Sequence, residues 1–123
     1  EKAYHLARVG EDLVGLAGWK VENLITRVDE FYARPGMELG QVAPPLIEAV
    51  EAASQELMSE AALLFVPSPL SDSSAVWQSA GYEQKQPGTL GVRVWEEAAK
   101  ESMPPGSVMY FKRLRTDRVL QPV

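Results

Sequence analysis

Two adjacent carboxylates, Asp29 and Glu30, stand in the stretch LITRVDEFYAR, residues 24–34, which is rich in β-branched and aromatic residues. Such residues favour a strand. A carboxylate that leaves a strand towards a cleft can take a proton from an amine as a general base. The alternative is a pair of solvent-facing strand carboxylates. Both residues are therefore candidate catalytic groups on the sequence alone.

Other reactive residue types exclude several chemistries. The chain has no cysteine, so disulfides, cysteine–zinc sites and thiol nucleophiles are excluded. His5 is the only histidine, and no second histidine or cysteine exists to share a metal ion with it. The serines at 71, 73 and 74 have no histidine placed to activate them, and we interpret them as helix-capping residues. We predict no metal site.

The stretch ARPGMELGQVAPPLIE, residues 33–48, follows this strand and leads into an amphipathic helix. A glycine-bearing loop before a helix can hold a phosphate, because backbone N–H groups and the positive helix end point towards it. Pro44 and Pro45 stand where we expect the helix to begin, since proline fits the first turn. Leu46, Val50 and Leu57 then recur at helical spacing.

The whole chain reads as an alternation of strands and helices. We predict antiparallel strands at 4–9, 13–21 and 24–33, followed by a helix at 45–59. A strand at 62–66, parallel to the third, then leads to a second helix at 72–80 and a late strand at 107–114. The order strand, helix, strand implies a right-handed crossover. Regular alternation in the third strand places Asp29 with Phe31 on one face and Val28 with Glu30 on the other.

Length and charge limit the classes of partner. The chain has 123 residues, 46% of them hydrophobic and 24% charged, with a net charge of −5. We expect one domain over 1–123, consistent with the C-terminal part of a longer protein because residue 1 is Glu. The acidic balance argues against nucleic acid and membrane partners. No signal peptide or membrane span is visible, so we expect a cytoplasmic protein. Homo-oligomer formation is left open.

The order β-β-β-α-β-α-β resembles the GNAT superfamily of acyl-CoA-dependent N-acetyltransferases. Two motifs carry the resemblance. The positions of the family's acyl-CoA loop fall on Glu38, Gln41 and Ala43, counted back from Leu46-Ile47. The family's later aromatic motif falls on WQSAGY, residues 77–82. The expected fold is α+β, a GNAT-like mixed and mostly antiparallel sheet with a βαβ crossover, lacking the family's usual N-terminal strand and two helices.

The resemblance implies a cleft between strands 24–33 and 62–66 that seats the pantetheine arm of acetyl-CoA. Its implied cofactor-binding residues lie at the end of the third strand and in the loop after it: Phe31, Ala33, Glu38, Gly40, Gln41, Val42 and Ala43. Trp77 occupies the position at which many members have a tyrosine that protonates the leaving thiolate. This makes Trp77 the third candidate catalytic residue, beside Asp29 and Glu30.

The sequence departs from the family pattern in three places. Glu38 is negative where Arg or Gln is usual, and Gln41 has a side chain where glycine is usual. Pro44 and Pro45 are expected to remove two N–H donors from the start of the helix. An indole N–H, as in Trp77, does not release its proton at neutral pH.

These features give three functional hypotheses. The first is an acyl-CoA-binding domain with weak N-acetyltransferase activity on an unknown acceptor. The second is a non-catalytic GNAT-like binding or interaction module. The third is an unrelated α+β interaction domain, which antiparallel pairing at 62–66 would favour.

Overall fold

The computed structural model describes residues 2–115, which form one six-stranded sheet flanked by helices. In chain order the elements are β1 Ala3–Val9, β2 Asp12–Glu22, β3 Ile25–Ala33, α1 Leu39–Glu56, β4 Ala61–Pro67, α2 Ser68–Ser71, α3 Ser74–Ser79, β5 Glu83–Gln84, a 3-10 turn Pro87–Thr89, α4 Arg93–Ser102 and β6 Ser107–Arg113. The strand order is β1-β2-β3-β4-β6-β5. Among the strand pairs within residues 2–115, only β3–β4 is parallel. The predicted mixed, mostly antiparallel sheet is confirmed.

Helices cover the two faces of the sheet unequally. On the first face, called the α1 face, Val28 and Leu64 pack with α1 and α3. On the second, called the α4 face, Ile25, Leu63 and Phe65 pack against Trp95 of α4. Alternation along β4 sends successive apolar side chains to opposite faces, which explains why its run ALLFV is apolar throughout. None of the helices within residues 2–115 is long and apolar enough to span a bilayer.

The first helix begins earlier than the sequence indicated. We expected 45–59 with the prolines in the first turn, but α1 begins at Leu39 and ends at Glu56, so Pro44 and Pro45 lie inside it. Their missing N–H groups leave the carbonyls of Gly40 and Gln41 without the usual helical donor. Both of those residues are exposed, so water can satisfy the carbonyls. The two prolines therefore reduce the stability of α1 only slightly.

The prediction of regular alternation in β3 is also wrong, because a β-bulge lies at Asp29. Val28 pairs with Trp19 and Glu30 pairs with Gly18, which leaves Asp29 as an extra residue. Beyond the bulge the alternation is reversed. Phe31 therefore joins Val28 on the α1 face instead of opposing it.

The β3–β4 pair is closed at one end and open at the other. The ladder runs from Ile25↔Ala61 to Val28↔Leu64 and then stops, although β3 continues to Ala33 and β4 to Pro67. The ladder therefore ends inside the strand pair at which the resemblance implies a cleft.

Buried polar contacts fix the closed end of this strand pair. The Thr26 hydroxyl lies 2.7 Å from Ser54 Oγ and 2.8 Å from Ser59 Oγ, and all three residues are fully buried. On the other face Arg27 is only 2% exposed, and its guanidinium donates to Glu101 and Ser102 of α4 at 2.9 Å. The polar contacts therefore hold α1 and α4 to the same short ladder.

Candidate functional site

A hollow of about 320 Å³ lies where β3 ends and α1 begins. It is lined by residues 33–39 together with Leu70 and Ser73, and we call it the loop hollow. Gly36 has a φ of +90°, which a residue with a side chain rarely adopts. This glycine lets the chain turn from the strand into the helix within five residues.

Backbone donors point from the start of α1. The N–H groups of Gln41 and Val42 donate to the Glu38 carbonyl, at 2.9 and 3.3 Å. Within residues 2–115 the N–H groups of Leu39 and Gly40 have no hydrogen-bond acceptor. The expected loss of two donors to Pro44 and Pro45 is therefore wrong, since these prolines lie beyond the first turn.

Two charged side chains flank these donors. Arg34 lines the loop hollow, and no ion pair joins its guanidinium to another residue in the described range 2–115. Glu38, at the N-cap of α1, lines the same hollow and is exposed. We missed Arg34 because the motif positions were counted only from the helix backwards. Its place at the end of a strand, before Pro35-Gly36, was the available signal.

The remaining predicted loop residues lie in the first turns of α1. Gln41 is exposed, whereas Val42 and Ala43 are buried. Val42 packs over Gly15 of β2, where any Cβ would collide with its side chain. The side chains of Val42 and Ala43 thus face the core, so only their backbone atoms could meet a ligand.

A second hollow, of about 530 Å³, opens on the α4 face beside the free end of β3. We call it the strand hollow; its lining residues are Tyr4, Leu16, Asp29, Glu30, Phe31, Tyr32 and Pro67. Asp29 and Glu30 are consecutive, yet both reach this hollow because Asp29 is the bulged residue. Among residues 2–115 no group of three histidine, aspartate or glutamate side chains is arranged to hold a metal ion.

An ammonium group already lies between the two carboxylates. Lys2 Nζ is 2.7 Å from Asp29 Oδ1 and 3.4 Å from Glu30 Oε1. Partial burial lowers the pKa of Lys2, but the hydrogen bonds and charges of Asp29 and Glu30 outweigh that effect and raise it overall. The two candidate bases are thus brought together, and each is engaged by this lysine.

Trp77 is fully buried beneath the opening between β3 and β4. Its ring meets the Phe31 ring edge-on, with centroids 5.2 Å apart, and lies 6.1 Å from Tyr110. Its Nε1–H donates to the Leu70 carbonyl at 3.4 Å. Trp77 and Phe31 therefore form an aromatic floor, and the indole N–H is directed at the backbone. The catalytic roles of Asp29, Glu30 and Trp77 remain predictions.

A cluster at the far end of α3 holds that helix to α1. Lys112 Nζ donates to both Glu51 oxygens, at 3.1 and 3.0 Å, and to the Ala80 carbonyl at 2.9 Å. The Tyr82 hydroxyl donates to Glu51 Oε2 at 2.8 Å. Burial, with the charge and hydrogen bond of Glu51, raises the pKa of Tyr82. This cluster therefore links α1, the C-terminal end of α3 and β6.

Solved structures with the same fold exist, although no protein-family model and no curated protein matches the sequence. An acetyltransferase of the GNAT family from Staphylococcus aureus Mu50 matches 93% of this chain with a TM-score of 0.70 at 15% identity. The PaiA N-acetyltransferase from Thermoplasma acidophilum, solved in complex with coenzyme A, matches 91% with a TM-score of 0.65 at 12% identity. Tetrahymena GCN5 matches 94% with a TM-score of 0.68 at 9% identity.

These likenesses show that the chain has the GNAT fold. The chain spans 68%, 60% and 70% of the length of the three proteins, respectively. The parallel β3–β4 pair, open at one end, also argues against an unrelated α+β interaction domain.

Proposed function

We propose that this chain binds an acyl-CoA at the open end of the β3–β4 pair and transfers its acyl group slowly to an amine. The observation that carries the proposal is that the β3–β4 ladder stops at Val28↔Leu64 while both strands continue. From Asp29 to Ala33 the edge of β3 has no partner in β4, so its peptide groups are available to the amides of a pantetheine arm.

The loop hollow has the chemistry for a pyrophosphate. Leu39 and Gly40 offer free N–H groups at the positive end of α1, and Arg34 adds a cation. Glu38 opposes this because its carboxylate lies at the same hollow. When bound, an acyl-CoA would supply a thioester that an amine can attack. On this chain Asp29 or Glu30 would accept the amine proton.

Weak transfer activity follows from Trp77. Its N–H is bonded to the Leu70 carbonyl and cannot protonate a leaving thiolate. General-acid assistance is worth about 10²–10⁴ in rate, and the chain would work without it. The same observation favours a second candidate, a binding module that holds an acyl-CoA without turnover.

Calorimetric titration with coenzyme A tests the binding proposal through two opposite charge changes. We expect weak binding to the native chain, with a Kd above roughly 10 µM. Arg34→Gln should weaken binding and Glu38→Gln should strengthen it, each by roughly three- to tenfold, because both groups lie at the loop hollow but are screened by water. Arg93→Gln, on α4, is the matched control and should leave the Kd unchanged.

Equal affinities in all four proteins would contradict this placement of the pyrophosphate. Absence of binding even in Glu38→Gln would overturn the proposed function. Turnover of acetyl-CoA with an amine mixture then separates the two candidates. A slow but amine-dependent release of thiol supports the transferase, and binding without release supports the module.

A further inference from the structure

The first strand lies at the edge of the sheet, and its outer side has no partner strand within residues 2–115. β1 runs from Ala3 to Val9 and pairs with β2 on its inner side. The bulge in this strand pair belongs to β2, because Val14 is left between the partners of Ala7 and Arg8. β1 itself therefore stays regular and presents a row of backbone N–H and C=O groups with which another strand can pair.

The sequence of β1 lacks the features that usually block an exposed edge. Proteins protect such edges with very short strands, prolines or several charged side chains. The strand at the other end of the sheet order, β5, is of this kind, since it has only two residues, Glu83 and Gln84. β1 has seven residues, no proline and one charged side chain, Arg8. Tyr4 and Leu6 are 50% and 48% exposed, so apolar side chains accompany the open backbone edge.

The edge of β1 is complementary to a second copy of itself. Leu6 is the central residue of the strand, so an antiparallel pair with its twofold axis at Leu6 pairs the whole of β1 with the whole of its copy. In this register Leu6 faces Leu6, and Tyr4 of each copy faces Arg8 of the other, which suits a cation–π contact. Lys2 of each copy faces the uncharged Gly10 of the other.

The neighbouring registers are less favourable. An axis at His5 places Arg8 of one copy against Lys2 of the other, and like charges directly opposite each other destabilise a strand pair. An axis at Ala7 pairs only residues 5–9 with their copies. The register centred on the middle of β1 therefore pairs the most backbone without opposing like charges.

The helix above this edge leaves room for a second copy. Pro45 of α1 lines a hollow together with Val9 of β1, so this side of α1 lies towards the open edge. Ala49 and Ala53 follow Pro45 at steps of four residues and share that side of the helix. Glu48 lines a hollow on the side of α1 towards α3. The side of α1 next to the edge therefore has small uncharged residues, which allow the two α1 helices to lie close together.

We propose that two copies of this chain form a dimer by antiparallel β1–β1 pairing about a twofold axis at Leu6. The two sheets then become one continuous sheet. The row formed by Leu6, Leu16 and Tyr32 in each copy meets the same row of the other copy at the axis. Because β2 lies between β1 and β3, the open end of the β3–β4 pair stays accessible in both copies. The dimer does not depend on the proposed function.

Sedimentation equilibrium of the native chain, Leu6→Lys and Val94→Lys measures the dimer. We expect a native dissociation constant on the order of 100 µM, because a single strand pair buries a small interface. Leu6→Lys removes the apolar contact at the axis and places two ammonium groups opposite each other, so it should weaken the dimer roughly tenfold. Val94→Lys makes the same charge change on α4, where Val94 is 41% exposed, and should keep the native dissociation constant.

A single cysteine tests the register, since the chain has no native cysteine. In Leu6→Cys the two thiols would lie opposite each other at the axis, and oxidised glutathione should convert them to a disulfide that links the dimer. Tyr4→Cys faces Arg8 of the other copy in this register, so it should cross-link roughly tenfold more slowly. Mixing Tyr4→Cys with Arg8→Cys should restore the rate. Val94→Cys is the control for random collisions and should also cross-link slowly.

Three results would overturn the proposal. The first is a native chain that stays monomeric up to about 1 mM, roughly tenfold above the expected dissociation constant. The second is a dimer that Leu6→Lys leaves intact, and the third is cross-linking of Val94→Cys as fast as that of Leu6→Cys. Should Leu6→Lys unfold the chain, as judged by its circular dichroism, Leu6→Glu replaces it with the same expectation.

Discussion

The two halves of β3 differ although they belong to one strand. From Ile25 to Val28 the strand is completely enclosed, paired on both sides and covered by α1 and α4. From Asp29 to Ala33 it has lost its partner in β4 and borders two hollows. The closed half holds the fold, and the open half exposes peptide groups and charges that a ligand can use.

Truncating one leucine beside the closed half and one on the uncovered part of the α4 face should give the largest contrast. Leu63→Ala, beside the closed half and fully buried, should lower the free energy of unfolding by about 2–5 kcal/mol. Leu6→Ala, on the uncovered part of the α4 face and 48% exposed, should cost less than about 1 kcal/mol. Urea denaturation measures both. Similar costs for the two leucines would mean that the uncovered face is packed in solution.

The buried hydroxyls of the closed half predict a smaller effect. Thr26→Val keeps the shape of the side chain but leaves Ser54 Oγ without its partner, which should cost about 1–3 kcal/mol. Ser59 Oγ loses its contact with Thr26 but keeps those with the Leu24 and Ala61 carbonyls. Thr89→Val, whose hydroxyl donates to the Gln86 carbonyl on the surface, is the control and should cost less than about 1 kcal/mol. Adding Ser54→Ala to Thr26→Val should recover part of the loss. If the double variant shows no recovery, these hydroxyls do not act as one unit.

The Tyr82 cluster predicts the smallest effect, and it depends on pH. The pKa of Tyr82 is raised in the folded chain above its ordinary value of about 10. The buried neutral phenol therefore contributes its full stabilisation of the fold below pH 10, and this contribution is lost as pH rises further. Between pH 10 and 11 the free energy of unfolding of the native chain should fall by about 1 kcal/mol more than that of Tyr82→Phe. Tyr32→Phe, which removes an exposed hydroxyl, should keep the native slope. The free energy of unfolding is measured by urea denaturation at each pH. If it falls equally with pH in the native chain and in Tyr82→Phe, the Tyr82 phenol does not have a raised pKa.

Much of the closed half could be predicted from the sequence. The helical spacing of Leu46 and Val50 and the apolar run of β4 predicted a strand–helix–strand unit, and the parallel pair follows from it. The start of α1 could not be located, because Pro44-Pro45 usually marks a first turn and the exposed carbonyls that tolerate it are a tertiary property.

The open half was less predictable. The bulge at Asp29 depends on pairing with Gly18 and Trp19, and a single sequence does not contain that pairing. In the predicted alternation neither face of this strand is uniformly apolar, and this mixed polarity was a sign of the irregularity. Arg34 was overlooked because its role comes from the hollow that it lines and not from a motif position.

Mapping coenzyme A onto the backbone is the most direct test of the central claim, that the open half of β3 and the start of α1 bind an acyl-CoA. The amide resonances of the isotope-labelled chain are followed by NMR during a titration with coenzyme A. The account predicts that shifts concentrate between Phe31 and Gln41 and are small at Ile25–Val28 and in α4. Shifts concentrated on α4, or none at millimolar coenzyme A, would contradict it.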